Sequence, residues 1–141
     1  MADKQLMVDT SILIDYFRKT DKANARLVAH FRQYNQLYIS SITAFEVYNG
    51  ATELHKQFWE EMLLRFIILD FDGKAAKQAA QIVEQLKAKR KTIDKPDLFI
   101  AATATIHGLT FDTLNVKHFI HIDNLDLLAA AGGEADAGGV L

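Results

Sequence analysis

The chain contains no cysteine, which excludes a disulfide framework and a thiolate zinc site and is compatible with a reducing cytoplasm. Its five histidines are not spaced as a metal site. No apolar run approaches the roughly 20 residues that a membrane span requires. The start, Met1-Ala2-Asp3-Lys4, lacks the charged and hydrophobic regions of a signal peptide, so a soluble, cytoplasmic protein is expected. An excess of positive charge is also missing. With a formal net charge of -2 and a pI of about 6.2, the surface as a whole does not match a polyanion, and any contact with nucleic acid has to be local. One dense cationic run exists, Lys87, Lys89, Arg90 and Lys91. A helix C-terminus attracts such a run through its dipole as readily as a phosphate does.

What is present is enough apolar material for one core. At 141 residues and 50% hydrophobic content, the chain suits a single compact domain. Strand-like and helix-like patterns alternate, which favours an α/β fold with a mainly parallel sheet. Strands are expected at Leu6 to Val8, Leu37 to Ser40, Phe66 to Phe71, Leu109 to Thr113 and Leu125 to Leu128, the third as a continuous core strand. Helices are expected from Thr10 or Ser11, over Lys22 to Tyr34, from Ser41 or Thr43, and over Glu53 to Arg65 and Lys74 to Lys89. A further helix runs from Pro96 to His107, with Asp94 near its cap and Gly108 ending it. Asn115 to Phe119 reads as a turn or short helix. The Ala/Gly-rich tail, residues 129–141, adds little to a core.

Three acids stand in apolar surroundings. Asp9 lies between Leu6-Met7-Val8 and Ile12-Leu13-Ile14, where a strand gives way to a helix. Glu46 follows Ile42 and Phe45 at helical spacing, which predicts a carboxylate turned towards the sheet. Asp97 falls in the first turn of its helix. A buried acid costs desolvation energy unless something offsets it, and a divalent cation is one such partner. Taken singly, each has a plainer explanation: Asp9 as a cap, Glu46 as a cap or ion pair, Asp94 and Asp97 as acids favoured by the helix dipole. In an open parallel sheet, however, residues after the strand ends share one crevice, and Asp9, Glu46, Asp97 and Asn115 can all reach it. Carboxylate oxygens suit Mg²⁺ or Mn²⁺ and leave room for a phosphate.

Four segments in order carry a family likeness: Val8-Asp9-Thr10-Ser11-Ile12-Leu13-Ile14-Asp15, Ser41-Ile42-Thr43-Ala44-Phe45-Glu46, Asp97-Leu98-Phe99-Ile100-Ala101-Ala102-Thr103-Ala104, and Leu114-Asn115-Val116-Lys117-His118-Phe119. The set resembles the motifs of PIN-domain nucleases, and most of all the VapC-type toxins, from about Leu6 to Leu128. The resemblance implies a three-layer α/β/α domain over residues 1–128, with four to five strands in a mainly parallel sheet. It further implies a Mg²⁺- or Mn²⁺-dependent endoribonuclease, dimeric, acting on RNA and inhibited by a small antitoxin expressed with it. By position, Asp9 and Asp97 match the principal metal ligands and Glu46 an acid that binds metal directly or through water. Asn115 matches the fourth catalytic position, while Thr10, Ser11 and Thr113 are candidates to support the ligands or touch phosphate.

One position departs from the pattern: the fourth is frequently Asp, and Asn115 brings no charge, which leaves open one metal or two. Neighbouring Asp112 is a candidate to compensate for the missing charge, although strand alternation aims it opposite to Thr113. Two other readings remain at this point. One is a weakly active PIN-like module that works through partner contact, with Phe17, Phe31, Tyr34, Tyr48, Phe58 and Trp59 as candidate surface. The other is a phosphoacceptor receiver domain using Asp70, which lacks the expected second acid after Asp9 and a lysine in Asn124 to Leu128.

Overall fold

A computed structural model describes residues 4–128; the tail, residues 129–141, lies outside the described residues. Five strands form one sheet: β1 Gln5–Val8, β2 Gln36–Ser40, β3 Ile67–Leu69, β4 Thr110–Asp112 and β5 Asp126–Leu127. Their order is β3-β2-β1-β4-β5, and every pairing is parallel. The helices are α1 Thr10–Arg18, α2 Arg26–Gln33, α3 Ser41–Gly50, α4 Lys56–Leu63, α5 Gly73–Ala88, α6 Lys95–Ile106 and α7 Val116–Phe119. They cover both faces of the sheet, so the expected three-layer α/β/α architecture is the observed one.

The central strand explains the layering. Leu6, Met7 and Val8 are all fully buried, as a continuous apolar strand must be when helices cover both faces. Successive side chains point to opposite faces. Leu6 and Val8 accordingly pack with Leu13, Leu27, Leu37 and Trp59 against α1 to α4, while Met7 packs with Ile82, Ile100, Phe111 and Phe119 against α5 to α7.

Three expectations need correction. Phe66 to Phe71 is not a continuous core strand, because β3 keeps only Ile67–Leu69 and pairs with β2 alone. At this edge Ile67 is 44% exposed and Ile68 41%; an apolar run reads alike whether its strand ends up central or marginal. The helix expected over Lys22 to Tyr34 opens as a 3-10 turn, Lys22–Asn24, before α2, and that over Glu53 to Arg65 as a 3-10 turn, Glu53–His55, before α4. Periodic apolar spacing runs through both breaks and conceals them. Finally, α3 turns Thr43, Ala44 and Val47 inward, with Ile42 partly buried against the other core, while Phe45 and Asn49 of the expected face are exposed. Phe45 is 62% exposed, and Glu46 lies at the rim of the helix rather than beneath it.

Chain order places the crevice. From β1 the chain builds outward through β2 to β3, then crosses back to lay β4 on the other side of β1. The ends of β1 and β4 therefore flank the switch point, where ligands collect in such sheets.

Candidate active site

Asp9 follows β1 at this switch point and is 3% exposed. It stands at the position before α1, where its side chain makes no capping hydrogen bond of full geometry and has the Thr10 and Ser11 amides nearby. Two hydroxyls meet its Oδ2: Thr113 Oγ1 donates at 2.7 Å and Ser11 Oγ at 2.9 Å. A hydroxyl has one hydrogen and spare lone pairs. Both hydroxyls spend the hydrogen on Asp9 and accept backbone amides with the remainder, Ser11 from Leu114 at 3.0 Å and Thr113 from Asn115 at 2.9 Å. The loop after β4 is thus tied to the Asp9 carboxylate. Burial pushes the Asp9 carboxyl above its ordinary range, and the Thr113 and Ser11 hydroxyls, with the amides of Thr10 and Ser11, oppose that shift without cancelling it.

Glu46 reaches the same crevice from α3. Thr10 Oγ1, the first residue of α1, donates to its Oε1 at 2.6 Å and lies 2.9 Å from Thr43 Oγ1. Asp97, in the first turn of α6, presents a carboxylate that is 21% exposed. Its pKa is raised, first by burial, then by the negative charge of Asp9 and to a smaller degree by that of Glu46, against the influence of His118. Asp97 therefore lies within reach of the charges of both Asp9 and Glu46, which brings the three acids to one crevice. Among the described residues no lysine or arginine pairs with any of them.

Asn115 precedes α7 and caps nothing with its side chain, so its amide is not committed to the helix it starts. His118 lies one turn on, in α7. It is half-exposed, but its Nδ1 lies 2.9 Å from Asp97 Oδ2. Its three-residue spacing from Asn115 was the signal available. Asp112 does not join the crevice: its carboxylate is 2% exposed on the opposite side of β4, paired with Arg26 and His30. Asp70 stands exposed beyond the edge strand β3, away from the switch point.

Among the described residues, no three His, Asp or Glu side chains converge closely enough to enclose an ion by themselves. The donor set nevertheless fits a hard cation. Mg²⁺ is commonly held by one or two carboxylates and keeps several waters, and a carboxylate whose pKa is raised by burial and by a neighbouring carboxylate, as that of Asp97 is, gains from a positive charge beside it.

Fold and site together define an α/β domain with an uncompensated acidic crevice at the switch point of its sheet. Residues 6–125 match the family model described as PIN domain. The chain is 34% identical over 134 residues to Ribonuclease VapC1 of Rickettsia felis, covering 89% of this chain and 96% of that protein. It is 35% identical over 130 residues to Ribonuclease VapC1 of Methanocaldococcus jannaschii, covering 89% and 86%. The crystal structure of VapBC2 from Rickettsia felis bound to a promoter DNA fragment matches with a TM-score of 0.74 at 26% identity, over 88% of this chain and 97% of that one. A toxin–antitoxin complex from Klebsiella pneumoniae matches with a TM-score of 0.69 at 31% identity, over 85% and 94%. This chain belongs to the PIN-domain family.

Proposed function

We propose that the chain is a Mg²⁺- or Mn²⁺-dependent endoribonuclease that acts in the cytoplasm as the toxin of a toxin–antitoxin pair. One observation carries the reading: Asp9, Glu46 and Asp97 face one crevice, and no lysine or arginine among the described residues neutralises them. Relatives named Ribonuclease VapC support it.

When bound, the ion supplies a lowered pKa for its water and charge stabilisation on the phosphoryl oxygens and leaving oxygen. The chain's own residues do the remainder. Asp9 and Asp97 would hold the ion. Glu46, oriented by Thr10, would complete its surroundings and accept the proton of the water that attacks phosphorus as the bond to the leaving oxygen breaks. Ser11 and Thr113 have committed their hydrogens to Asp9, so they hold a ligand in place rather than touch phosphate. The Asn115 amide is the free donor for a phosphate oxygen. His118 steadies Asp97.

A second region supports the partner. A groove of about 450 Å³ is lined by Tyr16, Phe31 and Phe58, with Arg32 and Arg65 beside them. The aromatic floor, with Arg32 and Arg65 outnumbering the one acid of the lining, Glu61, suits an amphipathic antitoxin segment with acidic residues. Of the candidate aromatics read from the sequence, Phe31 and Phe58 line this groove, Trp59 is core at 3% exposure, and Tyr48 lies elsewhere on α3. With exposed Phe45, Tyr48 gives α3 an apolar outer face for a second copy in a homodimer, which light scattering checks.

The testing experiment is cleavage of a panel of single-stranded and structured RNAs with Mg²⁺ or Mn²⁺, against EDTA and Asp9→Asn. Cutting that is lost in both controls is the expected result. A wild-type chain that binds Mn²⁺ but cuts no RNA selects the binding-module reading, with Asn115 as the residue to change to Asp.

A further inference from the structure

The side of β4 that faces away from the crevice carries a buried charged cluster that the proposed reaction does not use. Asp112, the last residue of β4, has its Oδ2 2.9 Å from Arg26 Nε and 2.6 Å from His30 Nε2, and its Oδ1 accepts from an Arg26 terminal nitrogen at 3.1 Å. Arg26 and His30 are the first and fifth residues of α2, one turn apart on one face. The guanidinium grips the carboxylate with two nitrogens, the geometry with the least freedom. His30 donates from Nε2 to the carboxylate, and its buried Nδ1 has no partner among the described residues. An orphaned buried polar atom costs about 1–3 kcal/mol, and an apolar side chain in place of a buried ion pair is often no less stable. Burial alone therefore does not explain the cluster.

Its position does. Among the described residues, β5 supports β4 as far as Phe111, where Leu127 pairs and Leu128 N donates at 2.8 Å. Beyond that point the described residues hold β4 from β1, through the Val8–Asp112 pair and the bond from Asp9 N to Asp112 O at 2.9 Å. The next residue is Thr113, which donates to Asp9. Adjacent strand residues point to opposite sides, so a rotation that moves one side chain moves the other.

We propose, on the reading that Asp9 holds a divalent cation, that Asp112 is a positioning residue: clamped to α2 by Arg26 and His30, it fixes the end of β4 and so sets Thr113 against Asp9. It touches neither ion nor RNA and acts only through Thr113. Because α2 also lines the aromatic groove with Val28, Phe31 and Arg32, the clamp joins the groove wall to the site.

The test is a double-mutant cycle read as Mn²⁺ affinity, by the spin resonance signal of the free ion, in wild type, Asp112→Asn, Thr113→Val and the double variant. Loss of a partner that orients a ligand typically weakens affinity about 10–100-fold. Asp112→Asn is expected to weaken Mn²⁺ binding by about 10-fold in the wild-type background and to add nothing in the Thr113→Val background. Melting temperature should fall in both backgrounds, since that part of the effect does not pass through Thr113. Equal weakening in both backgrounds, or none in either, overturns the proposal. Should Asp112→Asn fail to fold, Arg26→Gln, which loosens the clamp from a part-exposed residue, must show the same dependence on Thr113. A wild-type chain that takes up no Mn²⁺ overturns the metal reading of Asp9 as well, whereas wild-type binding with an unchanged Asp112→Asn overturns this inference alone.

Discussion

Two aspartates lie back to back across the end of β4, equally buried and in opposite circumstances. Asp112 is 2% exposed and its charge is met by Arg26, with His30 as a further donor. Asp9 is 3% exposed and meets only hydroxyls and amides, with a second carboxylate, Asp97, close enough to raise its own pKa because of Asp9. Burial is the same for both, so burial does not mark a functional acid. What differs is the countercharge: among the described residues Asp112 has one and Asp9 has none, which supports the proposed role of Asp9 as a cation ligand.

The comparison predicts opposite responses to neutralisation. Asp112→Ala strands Arg26 and His30, and breaking a buried pair from one side costs about 3–5 kcal/mol; urea denaturation should show a loss of that order. Asp9→Asn removes a buried charge with no countercharge and keeps an oxygen for the Thr113 and Ser11 hydrogens. In EDTA this variant should be more stable than the wild type, by about 0.5–2 kcal/mol, as is common when a site is relieved of a functional strain. If it is instead destabilised as much as Asp112→Ala, the distinction between the two acids fails.

That distinction was only half legible in the sequence. Asp9, Glu46 and Asp97 stand out because an acid in an apolar run is rare, and chain order alone brings them to one crevice. The same alternation rule that places Thr113 beside Asp9 sends Asp112 to the other side, and the structure agrees. What could not be read was its partners, since Arg26 and His30 sit more than 80 positions away in sequence and their spacing on α2 fits a solvated face equally well. Glu46 shows the opposite limit. Helical spacing correctly grouped it with Ile42 and Phe45, but periodicity gives a face without saying what it faces. The core took the Thr43, Ala44 and Val47 side. In β3, likewise, composition identified a strand and could not tell an edge from a centre.

The pH dependence sharpens the comparison further. Asp9 and Asp97 have folded pKa values above the ordinary 3.8. The folded state then holds protons that the unfolded state has released, and their contribution to stability falls as pH rises from about 3.8 through the raised values. Below that window the penalty vanishes, and above it the penalty is constant. Other carboxylates titrate too, so the quantity to measure is the difference in stability between wild type and Asp9→Asn along a pH series in EDTA. That difference should widen in favour of the variant as pH rises and then level off. Mg²⁺ should reverse it near neutral pH, because an ion at 100 times its Kd adds about 2.7 kcal/mol to a protein that binds it only when folded. A difference that does not vary with pH would mean that Asp9 is not desolvated as its burial implies.

The smallest expected effect comes from the link between the two aspartates. Thr113→Val keeps the shape of the side chain and removes both the hydrogen given to Asp9 Oδ2 and the oxygen that accepts the Asn115 amide. Ser11 still donates to the same Oδ2, so Asp9 keeps one of its two hydroxyl donors and the cleavage rate should fall by about 10-fold rather than vanish. The Asp9 pKa should rise further, because a bond that favoured the charged form is gone, and the acid limb of the rate profile should move to higher pH with it. Ser11→Ala should act in the same direction. A Thr113→Val enzyme with unchanged rate and unchanged acid limb would mean that Asp9 is held well enough from its own side, and that the strand end contributes nothing to it.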